Sequence, residues 1–256
     1  MEEKHFRDDQ TFMLIRFGSK DRLECLQKGC LYMKNLQYFI GLEKNNPTSS
    51  GGQGDKFEGQ SVMYNPTIEI RDYYTKGLVY RGPVEVSATS FGYEKFPVFC
   101  MFMLDSRNLT DKKLEHGKLI KSYQFSKEQA DRIANEFGEY ALMFSDTDEF
   151  IRRVKSGLKI SDVGQYTRGR VRYYRPNDFD YYKDICDNHL NAAYWKREDF
   201  AFQQEFRLLI HKEVPDHLQV NIGDISDISQ LLKAKDLLNS QIDIAFDVWD
   251  GDDFHV

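Results

Sequence analysis

Thr11 to Phe17 (TFMLIRF) is a run of β-formers broken by one charge, Arg16. After the Gly18-Ser19 turn, KDRLECLQKG places Leu23, Leu26 and a closing Gly29 at helical spacing. The next run, CLYMKNLQYF, is aromatic and β-rich, and NNPTSSGGQGDKFEG after it has the composition of a loop. Between Ser61 and Leu104, short β-rich runs alternate with turn residues at the spacing of an antiparallel meander. SKEQADRIANEFG predicts a helix with Ser126 and Gln129 as a capping box and Gly138 as its stop. YALMFS predicts a strand. TDEFIRRVKSG predicts a second helix capped by Thr147 or Asp148 and closed by Gly157. DFDYYKDICDNHLNAAYW suits a helix or a helix and turn, and Phe200 to Leu208 alternates as a half-buried strand does. The tail predicts a strand at VNIG, a helix from Ile228 to Leu238 and a last strand at IDIAF.

These elements predict one α+β domain over 1–256 with a mainly antiparallel sheet and flanking helices. A long functional loop is expected at 44–60, and a helical and basic insertion at 105–180. With 256 residues, 41% of them apolar, the chain can bury a full core. Lys and Arg number 35 against 41 Asp and Glu, a net charge of −6, so the molecule as a whole is no basic nucleic-acid coat. No apolar run approaches membrane-span length and the opening MEEKHFRDDQ has no signal-peptide core, which predicts a cytoplasmic protein away from membranes. Cys25, Cys30, Cys100 and Cys186 stand apart without a CxxC pair and are expected as buried thiols.

Phosphate-loop, GxGxxG, HExxH and GxSxG motifs are missing. The six histidines are scattered, and Cys186 with His189 lacks a second ligand pair, so no metal is expected. Period-2 logic puts Gln203, Glu205 and Arg207 on one face of a strand, with Gln203 and Glu205 aimed into a common cleft, where a rigid carboxylate can meet a developing cation. An ordinary exposed polar face is the alternative. Arg16, alone in an apolar strand, needs a partner: Glu205, Glu58, or a phosphate that its planar fork would hold. Ser87, Thr89 and Ser90 add hydroxyls before Phe91. Arg152, Arg153, Lys155, Lys159, Arg168, Arg170, Arg172 and Arg175, interleaved with Tyr166, Tyr173 and Tyr174, have the composition that contacts phosphates and stacks on unpaired bases. Tyr174 and its neighbours equally suit a tyrosine-rich strand beside a solvated helix face.

Four segments, MLIRFGSKDRLECLQKGCLYMKNLQYF, GQGDKFEG, FGEYALMFSDTDEFIRRV and DFAFQQEFRLLI, resemble in that order a widespread family of uncharacterised bacterial and phage proteins. More distantly, Arg16 in the first strand, the hydroxyls of SATS and Gln203-x-Glu205 resemble the Arg, Ser-Thr-Ser, Gln-x-Glu layout of mono-ADP-ribosyltransferases. Ala88 departs from that layout and leaves Thr89-Ser90 as the match. The resemblance implies a split sheet with a cleft for NAD, the substrate. Glu205 would bind the nicotinamide ribose and stabilise an oxocarbenium-like transition state. Arg16 would clamp the phosphates or ribose. Ser90 would orient Glu205, with Thr89 beside it on the cofactor, and Gln203 would place the acceptor. Tyr32, Tyr38 or Phe39 would stack on nicotinamide. The acceptor is expected to be nucleic acid, RNA or single-stranded DNA, met by Arg168, Arg170, Arg172, Tyr173, Tyr174 and Arg175. A toxin or phage-defence role fits, and an inhibitory protein partner goes with such a role. Two alternatives stay open: a non-catalytic nucleic-acid-binding protein, and a metal-dependent nuclease with Asp55, Glu58 and Glu205 as oxygen ligands.

Overall fold

A computed structural model of the chain describes residues 11–45, 53–64, 67–83 and 86–247. In chain order it opens with β1 (Thr11–Gly18), α1 (Lys20–Gln27), β2 (Cys30–Asn35) and α2 (Leu36–Asn45). Six strands follow: β3 (Gln60–Tyr64), β4 (Thr67–Arg71), β5 (Leu78–Pro83), β6 (Val86–Ser90), β7 (Pro97–Asp105) and β8 (Thr110–Glu115). Next come β9 (Lys118–Gln124), α3 (Lys127–Phe137), β10 (Tyr140–Phe144) and α4 (Thr147–Ile160). β11 (Tyr166–Arg170), β12 (Arg172–Tyr174), α5 (Phe179–Asp187), β13 (Trp195–Arg197) and β14 (Glu205–Ile210) lead to the last group. That group is β15 (His217–Asn221), β16 (Ser229–Lys233), α6 (Ala234–Leu238) and β17 (Gln241–Asp247). The fold is mixed α+β, and its central sheet is antiparallel throughout.

β7 is the hub of that sheet because PVFCMFMLD is almost wholly apolar and can be covered on both faces. β14 pairs with one edge of β7 from Val98 to Phe102. The other edge is shared. β1 takes its far end, with Ile15 opposite Phe102, and β2 takes its near end, with Lys34 opposite Val98. Between them Phe99, Cys100 and Met101 have no strand on that side, so the sheet splits there. β1 carries β10 and then β16, β2 carries β15, and β14 carries β11. β1 shows why both faces are buried: Leu14 packs with α1 and α4 on one side, and Ile15 with Ile133 of α3 and Leu237 of α6 on the other.

Several expectations change. The aromatic run after Gly29 is not all strand: the Asn35 side chain accepts the Tyr38 N–H at 3.1 Å, which starts α2 at Leu36. α2 occupies the start of the loop expected at 44–60, residues 46–52 lie outside the described residues, and Asp55 and Glu58 are buried in the interior. Residues 105–180 are no insertion, since β10 lies between β1 and β16 and β11 pairs with β14 in the central sheet. α4 is capped by Asp146, not Thr147 or Asp148, and its hydrogen bonding continues past Gly157, with Ser161 N–H on the Gly157 carbonyl at 3.0 Å. The helix expected from Ile228 divides into β16 and the short α6, because β10 has an edge that β16 completes. Cys25 and Cys186 are exposed and Cys30 and Cys100 part-buried, so none is a fully buried thiol. Among the described residues no helix is long and apolar enough to cross a membrane.

Gly29 closes α1 as its spacing predicts, with a left-handed φ of 97°. A Cβ there would lie 2.4 Å from the Gly223 carbonyl oxygen. Gly29→Ala is therefore expected to cost about 2 kcal/mol or more, from backbone strain plus the clash, read as a lowered urea midpoint with unchanged slope.

Candidate functional site: a cleft at the split of the sheet

At Arg16, β1 leaves β7 and the split opens. The Arg16 guanidinium turns into the gap, donates to the Cys100 carbonyl, and lies 5.1 Å from the Phe99 ring centroid. In an antiparallel sheet an edge carbonyl without a strand partner needs another donor, and Arg16 supplies it. A direct ion pair with Glu205 or Glu58, one of the alternatives open for Arg16, does not form. Glu205 acts on Arg16 only at longer range, and burial lowers the Arg16 pKa from its ordinary value.

The split opens into a cleft of about 810 Å³, within the range of small-molecule sites. Arg16, Gly18 and Ser19, Arg22 and Cys25 of α1, and Tyr32, Lys34, Tyr38 and Phe39 of β2 and α2 line it. Lys196, Gln203 and Glu205 also reach it, as do Gln53 and Glu136. Gln53 donates to the Glu136 carbonyl, and the chain behind it passes so close to α2 that a Cβ on Gly54 would stand 2.1 Å from the Phe39 carbonyl oxygen. Only glycine allows that approach. At the mouth Tyr32 stacks on His217 at 4.9 Å, and the Lys34 ammonium sits 5.2 Å from the Tyr38 ring centre while paired with Asp216 at 2.6 Å.

Beneath the cleft lies a buried four-charge network. The Lys196 ammonium donates to Gln203 Oε1 at 2.9 Å and to Glu205 Oε2 at 2.7 Å, and stands 3.4 Å from Glu58 Oε1. Arg207 donates through Nε to Glu205 Oε1 at 2.7 Å and also reaches Glu58 and the Ala193 carbonyl. Burial by itself would raise the Glu205 pKa, but Arg207 and Lys196 outweigh it and hold the group at about 2, an anion at any physiological pH. Glu58 responds the other way: burial raises its pKa, and its Oε2 has no hydrogen-bond partner. Of the two carboxylates, Glu58 takes up a proton first as pH falls.

The strand expected from Phe200 begins only at Glu205. Residues Glu198–Gln203 form a 3-10 turn, and Gln204, at a left-handed φ of 38°, resets the chain direction. Gln203, Glu205 and Arg207 do gather on one side, around Lys196 in the interior, so the alternative of an exposed polar face does not form, and Gln203 and Glu205 reach the cleft from a buried network. Lys196 escapes sequence reading because YWKRED resembles any exposed charged turn. β12 and β13 pair in parallel, with Tyr173 opposite Lys196, and this drives the ammonium inward.

Thr89 and Ser90 lie elsewhere, in a two-stranded ribbon of β3 and β6, and Ser90 Oγ bonds Glu94. Neither lines the cleft, so Ser90 does not orient Glu205. The arginine and tyrosine stretch is also differently employed. Arg170 pairs with Asp105 at 2.6 Å, and Arg172 with Asp184 and Arg175 with Glu198 in pairs that stay exposed, as does Arg168. Tyr174 is buried on Tyr181 with centroids 4.0 Å apart, and Tyr173 Oη accepts the Glu205 N–H at 2.9 Å. Of the face expected to meet nucleic acid, Arg170, Tyr173 and Tyr174 are thus drawn into contacts within the chain, and the exposed Arg172 and Arg175 already hold carboxylates. Asp55 pairs with Arg197, and Glu58 and Glu205 with Lys196 and Arg207, so the carboxylates of the nuclease alternative already have cations. No cluster suited to a metal occurs among the described residues.

Comparisons of this chain with protein-family models, curated proteins and solved structures find no match.

Proposed function

We propose that the chain binds NAD in the cleft of the split sheet and transfers its ADP-ribose to a macromolecular acceptor, in the manner of mono-ADP-ribosyltransferases. One observation carries this reading: Arg16, Tyr32, Tyr38, Phe39, Gln203 and Glu205, drawn from distant parts of the chain, line one cleft of dinucleotide-accommodating size. In the transfer the bond from ribose C1′ to the nicotinamide nitrogen breaks and nicotinamide leaves with the electron pair. A nucleophile of the acceptor then bonds to C1′ and releases its proton. Glu205, anionic and held on both oxygens, is fixed in the orientation that stabilises positive charge on the ribose without reorganising. Tyr38 and Tyr32 offer their rings to the nicotinamide. Nucleic acid remains the first acceptor to test, with Arg168, Arg172 and Arg175 as exposed cations of its stretch.

The experiment is incubation with NAD labelled in its adenylate, together with cellular RNA, DNA and protein, for wild type, Glu205→Gln and Tyr38→Ala. Wild type is expected to label one polymer class, and Glu205→Gln to lose most of that label. Tyr38→Ala, at a residue 40% exposed, is expected to weaken NAD binding, with thermal melting to check that the variant folds. Wild type that neither binds nor consumes NAD overturns the reading. A non-catalytic binding protein is favoured by one fact, that both Glu205 oxygens already hold cations, and it would show as NAD bound but intact.

A further inference from the structure

The ionisable side chains lining the cleft do not balance evenly. Glu205 has Lys196 and Arg207, Glu136 has Arg132 at 3.8 Å, and Lys34 has Asp216. Arg16 and Arg22 are left over: among the described residues no carboxylate stands within ion-pair distance of either. Arg16 gives one donor to the Cys100 carbonyl, and a guanidinium has five. Arg22 is exposed on the first turn of α1 and near enough for its charge to act on Arg16. Ser19, between them in sequence and also on the cleft wall, makes no capping bond with its side chain. Two neighbouring guanidiniums repel, and a protein with a net charge of −6 has carboxylates in excess to place beside them. Leaving both without a carboxylate at ion-pair distance, with Glu205 acting on Arg16 only at longer range, makes a local demand for an anion, and planar forks match phosphate oxygens.

We infer that Arg22 and Arg16 together form a diphosphate-binding subsite on the α1 wall of the cleft, which selects nucleoside diphosphate groups over uncharged nucleosides. The inference deepens the NAD reading and rests on the same cleft, but it assigns Arg22 a role that neither the sequence patterns nor the transfer chemistry gave it. It also orients the ligand: the phosphates lie at Arg16 and Arg22, which leaves Tyr32 and Tyr38 of the same cleft for a ring.

Calorimetric titration of the full chain with ADP, inorganic pyrophosphate and adenosine tests this without nicotinamide or transfer. ADP and pyrophosphate are expected to bind, and adenosine to bind at least about tenfold more weakly than ADP. Arg22→Gln is expected to weaken ADP by about tenfold to a hundredfold, the loss of a charge-assisted hydrogen-bonded contact, and to leave adenosine unchanged. Arg22→Lys, which keeps the charge but not the fork, is expected to recover only part of the loss. Thermal melting checks that the variants fold, and Arg22 is an exposed helix position. ADP bound equally by wild type and a folded Arg22→Gln, or not bound at all, overturns the subsite. Arg22-dependent ADP binding without NAD turnover overturns the transferase reading and leaves the subsite standing. NAD transfer untouched by Arg22→Gln does the reverse.

Discussion

Arg207→Met is expected to destabilise the protein by about 3–5 kcal/mol, enough to leave a marginal domain largely unfolded. Arg207 is fully buried and serves two carboxylates, Glu205 and Glu58, as well as the Ala193 carbonyl. Methionine fills similar volume, so the loss is chiefly electrostatic: the interior would hold two carboxylates against Lys196 alone. A second substitution separates charge from packing. Glu58→Gln in the same chain removes one of the stranded anions, so the double variant is expected to recover part of the loss, with a coupling of about 0.5–3 kcal/mol in a double-mutant cycle. Urea unfolding of the four proteins measures it. Simple additivity would mean that Arg207 acts through packing and not through Glu58.

Lys196→Met is expected to cost about as much, and to change the pH at which stability is lost. In the folded wild type the Glu205 pKa is held at about 2, below its ordinary value. A carboxylate depressed in this way contributes stability that is fully present above the unfolded pKa and disappears as pH falls through the folded one. The contribution from Glu205 is thus lost between about 4.5 and about 2. Glu58 works in the opposite sense: its raised pKa favours folding at low pH, and that benefit is lost as pH rises through its folded value. Removing the ammonium takes away one of the two cations that hold Glu205 down, so its folded pKa rises toward the unfolded value, and the acid-side loss becomes smaller and is complete at a higher pH. Unfolding free energy measured from pH 7 to pH 2 for wild type and variant reads this directly. An unshifted acid limb would show that Arg207 suffices to hold Glu205 ionised.

The network under the cleft was legible in the chain only by halves. Glu205 and Arg207 stand two apart in a strand-like run, and period 2 places them together. Glu58, in a glycine-rich stretch with loop composition, and Lys196, in a charged turn, carry no local sign of burial. Their place comes from Gly54 letting the chain pass against α2 and from β13 lying parallel to β12. Ser90 shows the opposite failure: its place in an Arg, hydroxyl, Glu order is a matter of spelling, and the β3–β6 ribbon takes it to Glu94 instead.

By itself the sequence determined the local matters, where short-range physics suffices: the first strand and helix up to Gly29, the Ser126 cap of α3, the α+β class and the isolation of Arg16 among apolar neighbours. The tertiary structure decided which edge of β7 stays open and which charges meet. It tied most of an arginine and tyrosine tract into pairs within the chain and, among the described residues, left Arg16 and Arg22 with no carboxylate at ion-pair distance. The reason is range. A cap or a period is set by residues three or four apart, whereas the split depends on β1 and β2 both choosing one edge of a strand more than sixty residues away. A charge is free or spent only according to what folding brings beside it.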